Sequence, residues 1–105
     1  MPTRDDEQGQ ERRQAPRDEV AFKALARRNR LTGLWAAAEM GLSGEAAESY
    51  AAEVVLADLE TAGDDDVIAK LRRDLEAGGR PFGDADIKAK LAEMYAEARR
   101  QLQLP

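Results

Sequence analysis

The chain of 105 residues contains neither cysteine nor histidine. Without cysteine it has no disulfide and no thiol nucleophile, and without histidine it has no imidazole to act as a general base. The same two residues are the usual zinc ligands of proteins. These absences indicate a protein that is not an enzyme, and we expect no cofactor and no metal.

Aromatic residues and long apolar runs are also scarce. Aromatics make up 5% of the chain, whereas 35% of its residues are charged. Alanine supplies much of the apolar content, and no segment alternates apolar and polar residues over a strand's length, so we predict an all-α fold. No apolar stretch approaches the roughly 20 residues of a membrane span, and the N-terminus has no secretory signal. We expect no membrane insertion and a cytoplasmic location.

The N-terminal residues differ in composition from the rest of the chain. Residues 1–17 contain four arginines, four acidic residues and almost no apolar side chain. Such a segment cannot bury enough surface to offset its ordering entropy, and Pro16 disfavours helix at Ala15. We therefore predict a flexible N-terminal segment, residues 1–17, followed by a four-helix domain, residues 18–105.

Apolar residues spaced three and four apart predict four helices in that domain. We expect them at about 18–40, 44–62, 65–77 and 84–102, with glycines at 41, 63 and 78 ending the first three. The expected N-caps are Ser43, Asp64 and Asp84. We expect each helix to bury its apolar stripe. The stripe residues are Ala24, Leu31, Leu34, Trp35 and Ala38 in the first helix, Ala47, Tyr50, Ala51, Val54, Val55, Leu59 and Ala62 in the second, and Val67, Ile68, Leu71 and Leu75 in the third. Because no helix covers its own apolar face, the four should pack as a four-helix bundle.

The turn at Gly41 to Gly44 allows an alternative, a helix-turn-helix DNA-binding regulator. A helix that reads DNA needs basic or amide side chains near its start. The predicted second helix instead carries five acidic residues and no lysine or arginine, and the net charge of the chain is -5. Since both features repel DNA, we favour a plain helical hairpin and expect no nucleic-acid partner.

Three consecutive aspartates, Asp64 to Asp66, invite a metal or acid–base interpretation. Their spacing lacks the alternating ligands and the closing glutamate of a calcium loop, and acids before a helix are typical caps. The sequence also has no glycine-rich loop ending in Lys-Ser or Lys-Thr. A minor enzyme or weak nucleotide-binding domain stays open as a second alternative.

The cluster Arg27-Arg28-Asn29-Arg30 is the most informative charged feature. It is either a solvated face with ion pairs to the acidic second helix, or a docking patch for an acidic protein partner. Periodicity does not decide between these two interpretations. Trp35 is expected in the core, with a partner-contacting role as the other interpretation.

The arginine cluster belongs to a longer pattern. It comprises residues 22–31 (FKALARRNRL), 33–37 (GLWAA), 41–44 (GLSG), 50–60 (YAAEVVLADLE) and 63–67 (GDDDV), with a similar helix at 87–100. Over about residues 18–102 the chain resembles the zeta inhibitor subunit family of alphaproteobacterial F-type ATP synthase. The resemblance implies a four-helix bundle, monomeric when free, that binds catalytic-head subunits, lies peripheral to the inner membrane when bound, and slows ATP hydrolysis.

In this family the N-terminal segment and the start of the first helix make the inhibitory contact. The resemblance implies that this contact is made here by Arg12, Arg13, Arg17, Asp18, Glu19, Val20, Phe22 and Lys23. It implies a docking patch of Arg27, Arg28 and Arg30. The chain departs from the family pattern at Gln10 and Gln14, where aromatic residues are typical, and at Pro16. We therefore expect the fold to be retained and the inhibition to be weakened.

Overall fold

The computed structural model consists of four α-helices, α1 Pro2–Glu39, α2 Gly44–Glu60, α3 Asp65–Ala77 and α4 Asp84–Gln101. It describes the backbone of residues 2–60 and 63–103, and the side chains of residues 19–59 and 63–103. Those ranges contain no strand. The prediction of an all-α, four-helix fold is confirmed.

The start of α1 differs from the expected position. The helix begins at Pro2 rather than near Asp18, so that Pro16 lies within its bounds. Proline suits the first turn of a helix, where its missing N–H has no partner to lose, and the arginine, glutamine and glutamate that follow have high helix propensity. The side chains of residues 1–17 lie outside the described residues. The flexibility predicted for this segment therefore stays a prediction.

The remaining helix bounds lie within two residues of the predicted ones. Gly41 ends α1 with φ +81°, and the N–H of Leu42 donates to the carbonyl of Ala37 at 2.8 Å, which is a Schellman cap. Asp64 is the N-cap residue of α3, as predicted, although its side chain makes no cap hydrogen bond. One predicted cap is corrected, because Gly83, not Asp84, is the N-cap of α4.

The apolar core is formed by all four helices. The stripe predicted for α3 is confirmed, because its four apolar residues are all buried: Val67, Ile68, Leu71 and Leu75. Ile87 and Leu91 of α4 pack with Val54 of α2 in the same cluster. Trp35 is half-buried against this core, and its ring meets Phe82 edge to face at 5.0 Å between centroids.

The stripe predicted for α1 is partly wrong. Ala38 is exposed, while Leu31 and Leu34 are only half-buried. The buried face is rotated and contains small and polar residues: Ala24, Arg28, Asn29, Thr32, Gly33, Ala36 and Ala37. A Cβ added to Gly33 would lie 2.7 Å from the Cα of Ala51, so small side chains let α1 approach α2 closely. Apolar periodicity missed this face because it is not mainly apolar.

Candidate functional site

Arg28 is buried at the centre of a polar cluster between α1 and the start of α3. Its guanidinium makes two hydrogen bonds to Asp64, Nη2 to Oδ1 at 2.8 Å and Nη1 to Oδ2 at 3.2 Å. The same Nη2 lies 3.9 Å from Oδ2 of Asp58 on α2. Arg28 is only 6% exposed, so its charge is directed into the chain and away from a partner.

Neighbouring polar groups complete the Arg28 cluster. Asn29 accepts from Nε of Arg28 at 3.0 Å and donates to Asp58 at 2.8 Å. The hydroxyl of Thr32 donates to the carbonyl of Arg28 at 2.8 Å. The hydrogen bonds from the Arg28 guanidinium lower the pKa of Asp64 below its usual value; burial opposes this shift, and the positive charge of Arg28 adds to it. Among described residues, each buried side-chain nitrogen or oxygen has a hydrogen-bond partner.

The other two arginines of the predicted docking patch are exposed. Arg27 donates from Nη1 to Oε1 of Gln101 on α4 at 3.0 Å. Arg30 forms an ion pair with Glu48 of α2 at 2.9 Å, and both side chains are about half exposed. The structure therefore separates the cluster, because Arg28 is internal while Arg27 and Arg30 face solvent.

The predicted inhibitory residues fall into two groups. Four of them lie outside the residues whose side chains are described: Arg12, Arg13, Arg17 and Asp18. The other four are exposed on α1: Glu19, Val20, Phe22 and Lys23. Phe22 is 56% exposed and Val20 is 40% exposed, so two apolar side chains of this group are presented to solvent.

Two further exposed apolar residues lie on α2, and the apolar spacing of the sequence predicts one of them, Leu59, in the core. Leu56 is 60% exposed and Leu59 is 57% exposed. Together with Val20 and Phe22 they are the large apolar residues that the described part of the chain exposes most. Large apolar residues left exposed on two packed helices mark a candidate contact surface.

Phe22 and Leu59 border a concave surface that we call the α1–α2 groove, which is also lined by Leu25, Ala26 and Val55. Its volume is about 260 Å³. It adjoins a second depression of about 510 Å³ that shares Phe22, Ala26 and Val55. The groove is also lined by Asn29, Asp58 and Asp64 of the Arg28 cluster.

The second depression gives the α1–α2 groove a basic side. It is lined by Lys23, Arg27 and Arg30, with Leu102 of α4 at its edge. None of the described residues that line this depression is acidic. The three basic residues are spaced four and three apart and therefore follow one face of α1. The chain as a whole carries a net charge of -5, so the local positive charge of this side is opposite in sign to the net charge of the protein.

A second polar cluster joins α2 to α3 on another side of the bundle. The hydroxyl of Tyr50 donates to Asp74 at 2.8 Å, and Lys70 contacts Asp74 at 2.9 Å and Glu53 at 3.0 Å. Burial first, and then the bond to Asp74, raise the pKa of Tyr50 above its usual value. Burial lowers the pKa of Lys70, but its bonds to Asp74 and Glu53 outweigh this and raise it. The contacts of this cluster hold α2 against α3, so we assign it a structural role.

Neither the metal interpretation nor the DNA interpretation gains support from the geometry. In residues 19–59 and 63–103, no group of three or more acidic side chains is arranged to hold a metal ion. Asp64 is instead committed to Arg28. Glu45 and Glu53 are exposed on α2, so this helix presents carboxylates, which DNA would repel. No helix within the described ranges is both long and apolar enough to cross a membrane.

A small helical bundle with an apolar surface beside exposed basic residues defines a class of protein suited to contacting other proteins. Within that class, the chain belongs to the ATPase inhibitor subunit zeta family, whose model matches residues 1–101. This family is regulatory, and it implies ATP synthase as the partner. The resemblance inferred from the sequence is confirmed.

One solved structure is similar in both sequence and fold. It is a solution NMR structure of a protein, 48% identical to this chain, with a TM-score of 0.69. The match covers 78% of this chain and 93% of that chain. A comparison with curated proteins finds no match.

Proposed function

We propose that this chain binds the catalytic head of F-type ATP synthase and slows ATP hydrolysis by inserting its N-terminal segment, with the start of α1, between head subunits. The observation that carries the proposal is the extent of the family match, which begins at residue 1 and so includes this segment. The exposure of Val20 and Phe22 supports it, because apolar side chains left in water are available for burial in a partner.

The proposal includes a weakened inhibition. Gln10 and Gln14 occupy positions where the family pattern has aromatic residues, and a large apolar side chain contributes roughly 2 kcal/mol when fully buried. Pro16 lacks an N–H and can cost about 3 kcal/mol inside a helix. These residues lie in the inserted segment, so they affect the inhibitory contact and leave the bundle intact. The free chain is monomeric and cytoplasmic in this proposal, and peripheral to the inner membrane when bound.

An ATPase assay with the purified catalytic head of the matching ATP synthase tests the proposal. We expect the full chain to bind the head and to inhibit weakly, and a chain lacking residues 1–17 to lose inhibition. Submicromolar inhibition that disappears on this truncation would contradict the weakening while supporting the mode of action. Inhibition that survives the truncation would contradict the proposed role of the N-terminal segment.

Restoring aromatic residues tests the cause of the weakening. The double variant Gln10→Phe with Gln14→Phe should inhibit more strongly, by up to about 30-fold for each side chain that becomes fully buried. The control matched to each single replacement is Gln8→Phe, which adds the same apolar surface at a neighbouring position of the segment. If Gln8→Phe strengthens inhibition as much as Gln10→Phe or Gln14→Phe alone does, added hydrophobicity alone explains the effect.

A further inference from the structure

We infer that the α1–α2 groove is a second docking surface, and that it receives an acidic amphipathic helix of the catalytic head. The inference rests on the proposed function and assigns part of the binding to the bundle itself. The N-terminal segment would then inhibit, while the groove would hold the chain in place.

The apolar part of the groove indicates an apolar occupant. Val55 is half-buried in its wall, and Phe22 and Leu59 are more than half exposed at its edges. Leu56 does not line the groove itself, but it is exposed in a further depression that shares Val55 and Arg30 with the basic side. An occupant with aliphatic side chains would remove these groups from water, which is the main favourable contribution to most protein contacts.

The basic side of the groove determines the charge of that occupant. Arg30 is already paired with Glu48, whereas Arg27 donates a hydrogen bond to the neutral amide of Gln101 and forms no ion pair within the described residues. Lys23 is exposed one turn before Arg27 on α1. Carboxylates of a partner can therefore pair with Lys23 and Arg27, which would steer association and fix the orientation of the occupant.

The groove is continuous with the proposed inhibitory contact. Phe22 belongs to both, because it follows Val20 in the inhibitory group and lines the groove. A partner that contacts the start of α1 can therefore contact the groove as part of the same continuous surface. Since Lys23 to Arg30 span seven residues, or about 10 Å of helix, two turns of an acidic partner helix are long enough to follow the basic side.

Binding to the immobilised catalytic head, measured separately from inhibition, tests the inference. We expect the double variant Leu56→Ser with Leu59→Ser to bind about tenfold more weakly or worse. The control is Ala85→Ser with Ala89→Ser, at exposed positions of α4. Both replaced leucines are exposed, so helical content and thermal unfolding should match those of the unchanged chain, and this is measured alongside.

Charge reversal tests the basic side independently. Arg27→Glu should weaken binding to the head severalfold and reduce its dependence on salt. The control is Arg73→Glu, which makes the same charge change at an exposed position of α3. If Arg27→Glu and Arg73→Glu weaken binding equally, the effect is general and the acidic occupant is wrong.

The remaining outcomes separate the two proposals. If the unchanged chain binds the head and both leucine replacements leave the affinity unaltered, the groove inference is overturned and the proposed function stands. If the unchanged chain does not bind the head, both are overturned. Sedimentation that shows a dimer lost in the leucine variant would assign the groove to a second copy. Co-sedimentation with phosphatidylglycerol vesicles that the leucine variant abolishes would assign it to a membrane surface. Either result overturns the inference.

Discussion

Arg28 and Asp64 form a two-point ion pair that ties the middle of α1 to the residue preceding α3, with hydrogen bonds of 2.8 and 3.2 Å. The guanidinium is almost completely buried, whereas the carboxylate is 45% exposed. The pair therefore joins an internal charge to a partly hydrated one. It explains why Asp64, the N-cap residue of α3, makes no side-chain cap hydrogen bond, since both carboxylate oxygens are directed towards Arg28.

Replacing Arg28 should destabilise the bundle strongly. In Arg28→Met, Asp58 loses a nearby positive charge and the side-chain oxygen of Asn29 loses its donor. Breaking a buried charge pair by removing one partner typically costs 3–5 kcal/mol. Because Asp64 can regain water, we expect a loss of about 3 kcal/mol in the free energy of unfolding, measured by urea denaturation. The control, Arg30→Met, removes an exposed pair and should cost less than about 1 kcal/mol. Equal losses would contradict the structural role of Arg28.

The stability of the protein should depend on the ionisation of Asp64 in acid. The Arg28 guanidinium lowers the pKa of Asp64 in the folded chain. A lowered folded-state pKa means that the contribution is fully present above the unfolded pKa, about 3.9, and is lost as the pH falls through the folded pKa. Because Asp64→Asn lacks this contribution at every pH, its unfolding temperature should fall less with decreasing pH than that of the unchanged chain. Thermal unfolding at a series of acid pH values measures this difference. The comparison variant is Asp86→Asn, exposed on α4, and a decline reduced equally there would refute the assignment.

Gly33 should not tolerate a methyl group. The added Cβ of Gly33→Ala would lie 2.7 Å from the Cα of Ala51, and backbone at this distance must shift. Alanine gains up to about 1 kcal/mol over glycine in a helix, but overpacking costs typically 1–3 kcal/mol, so we expect a net loss of unfolding free energy. The Cβ of Gly83→Ala meets no heavy atom within 4 Å, so this variant should cost less, about the few tenths to 1 kcal/mol by which glycine exceeds alanine as an N-cap. A stabilised Gly33→Ala would show that the two helices are less closely packed.

Tyr50 should ionise only at unusually high pH. Burial and the hydrogen bond to Asp74 raise its pKa. The folded chain thus favours the protonated phenol, so stability is full below the unfolded tyrosine pKa, about 10, and falls as the pH rises above it. The chain has two tyrosines, so Tyr95→Phe leaves Tyr50 as the single one. Its phenol, followed by ultraviolet absorbance, should ionise at a higher pH than a free tyrosine does. Adding Asp74→Asn should bring the titration to lower pH, and an unchanged midpoint would argue against the bond.

Much of the fold followed from local patterns. The stripe of α3 was predicted residue by residue because Val67, Ile68, Leu71 and Leu75 are all large, apolar and helically spaced. The stop at Gly41 was predicted because only glycine adopts a left-handed conformation without strain. Both the apolar spacing of α3 and the glycine at position 41 act within one or two helical turns. They therefore predict local structure without any information about how the helices pack.

The candidate site was predicted less completely. The exposed contact residues Val20, Phe22 and Lys23 came from the family pattern, and Arg27 and Arg30 came from the charge cluster. Leu59 was assigned to the core because its spacing fits the stripe of α2, and Leu56 was not singled out. A helix pattern states which residues share a face, but it does not state where the neighbouring helix ends and leaves that face uncovered.

The sequence alone determined the all-helical class, three of the four helix starts, and membership of an inhibitor family, because composition, periodicity and motif are properties of the chain itself. Tertiary structure decided that Arg28 is internal while Arg27 and Arg30 are exposed, although the three stand within four consecutive residues. It also decided that α1 buries a polar, small-residue face. These assignments depend on the direction from which Asp58, Asp64 and Ala51 approach, and that direction is set only when the helices pack.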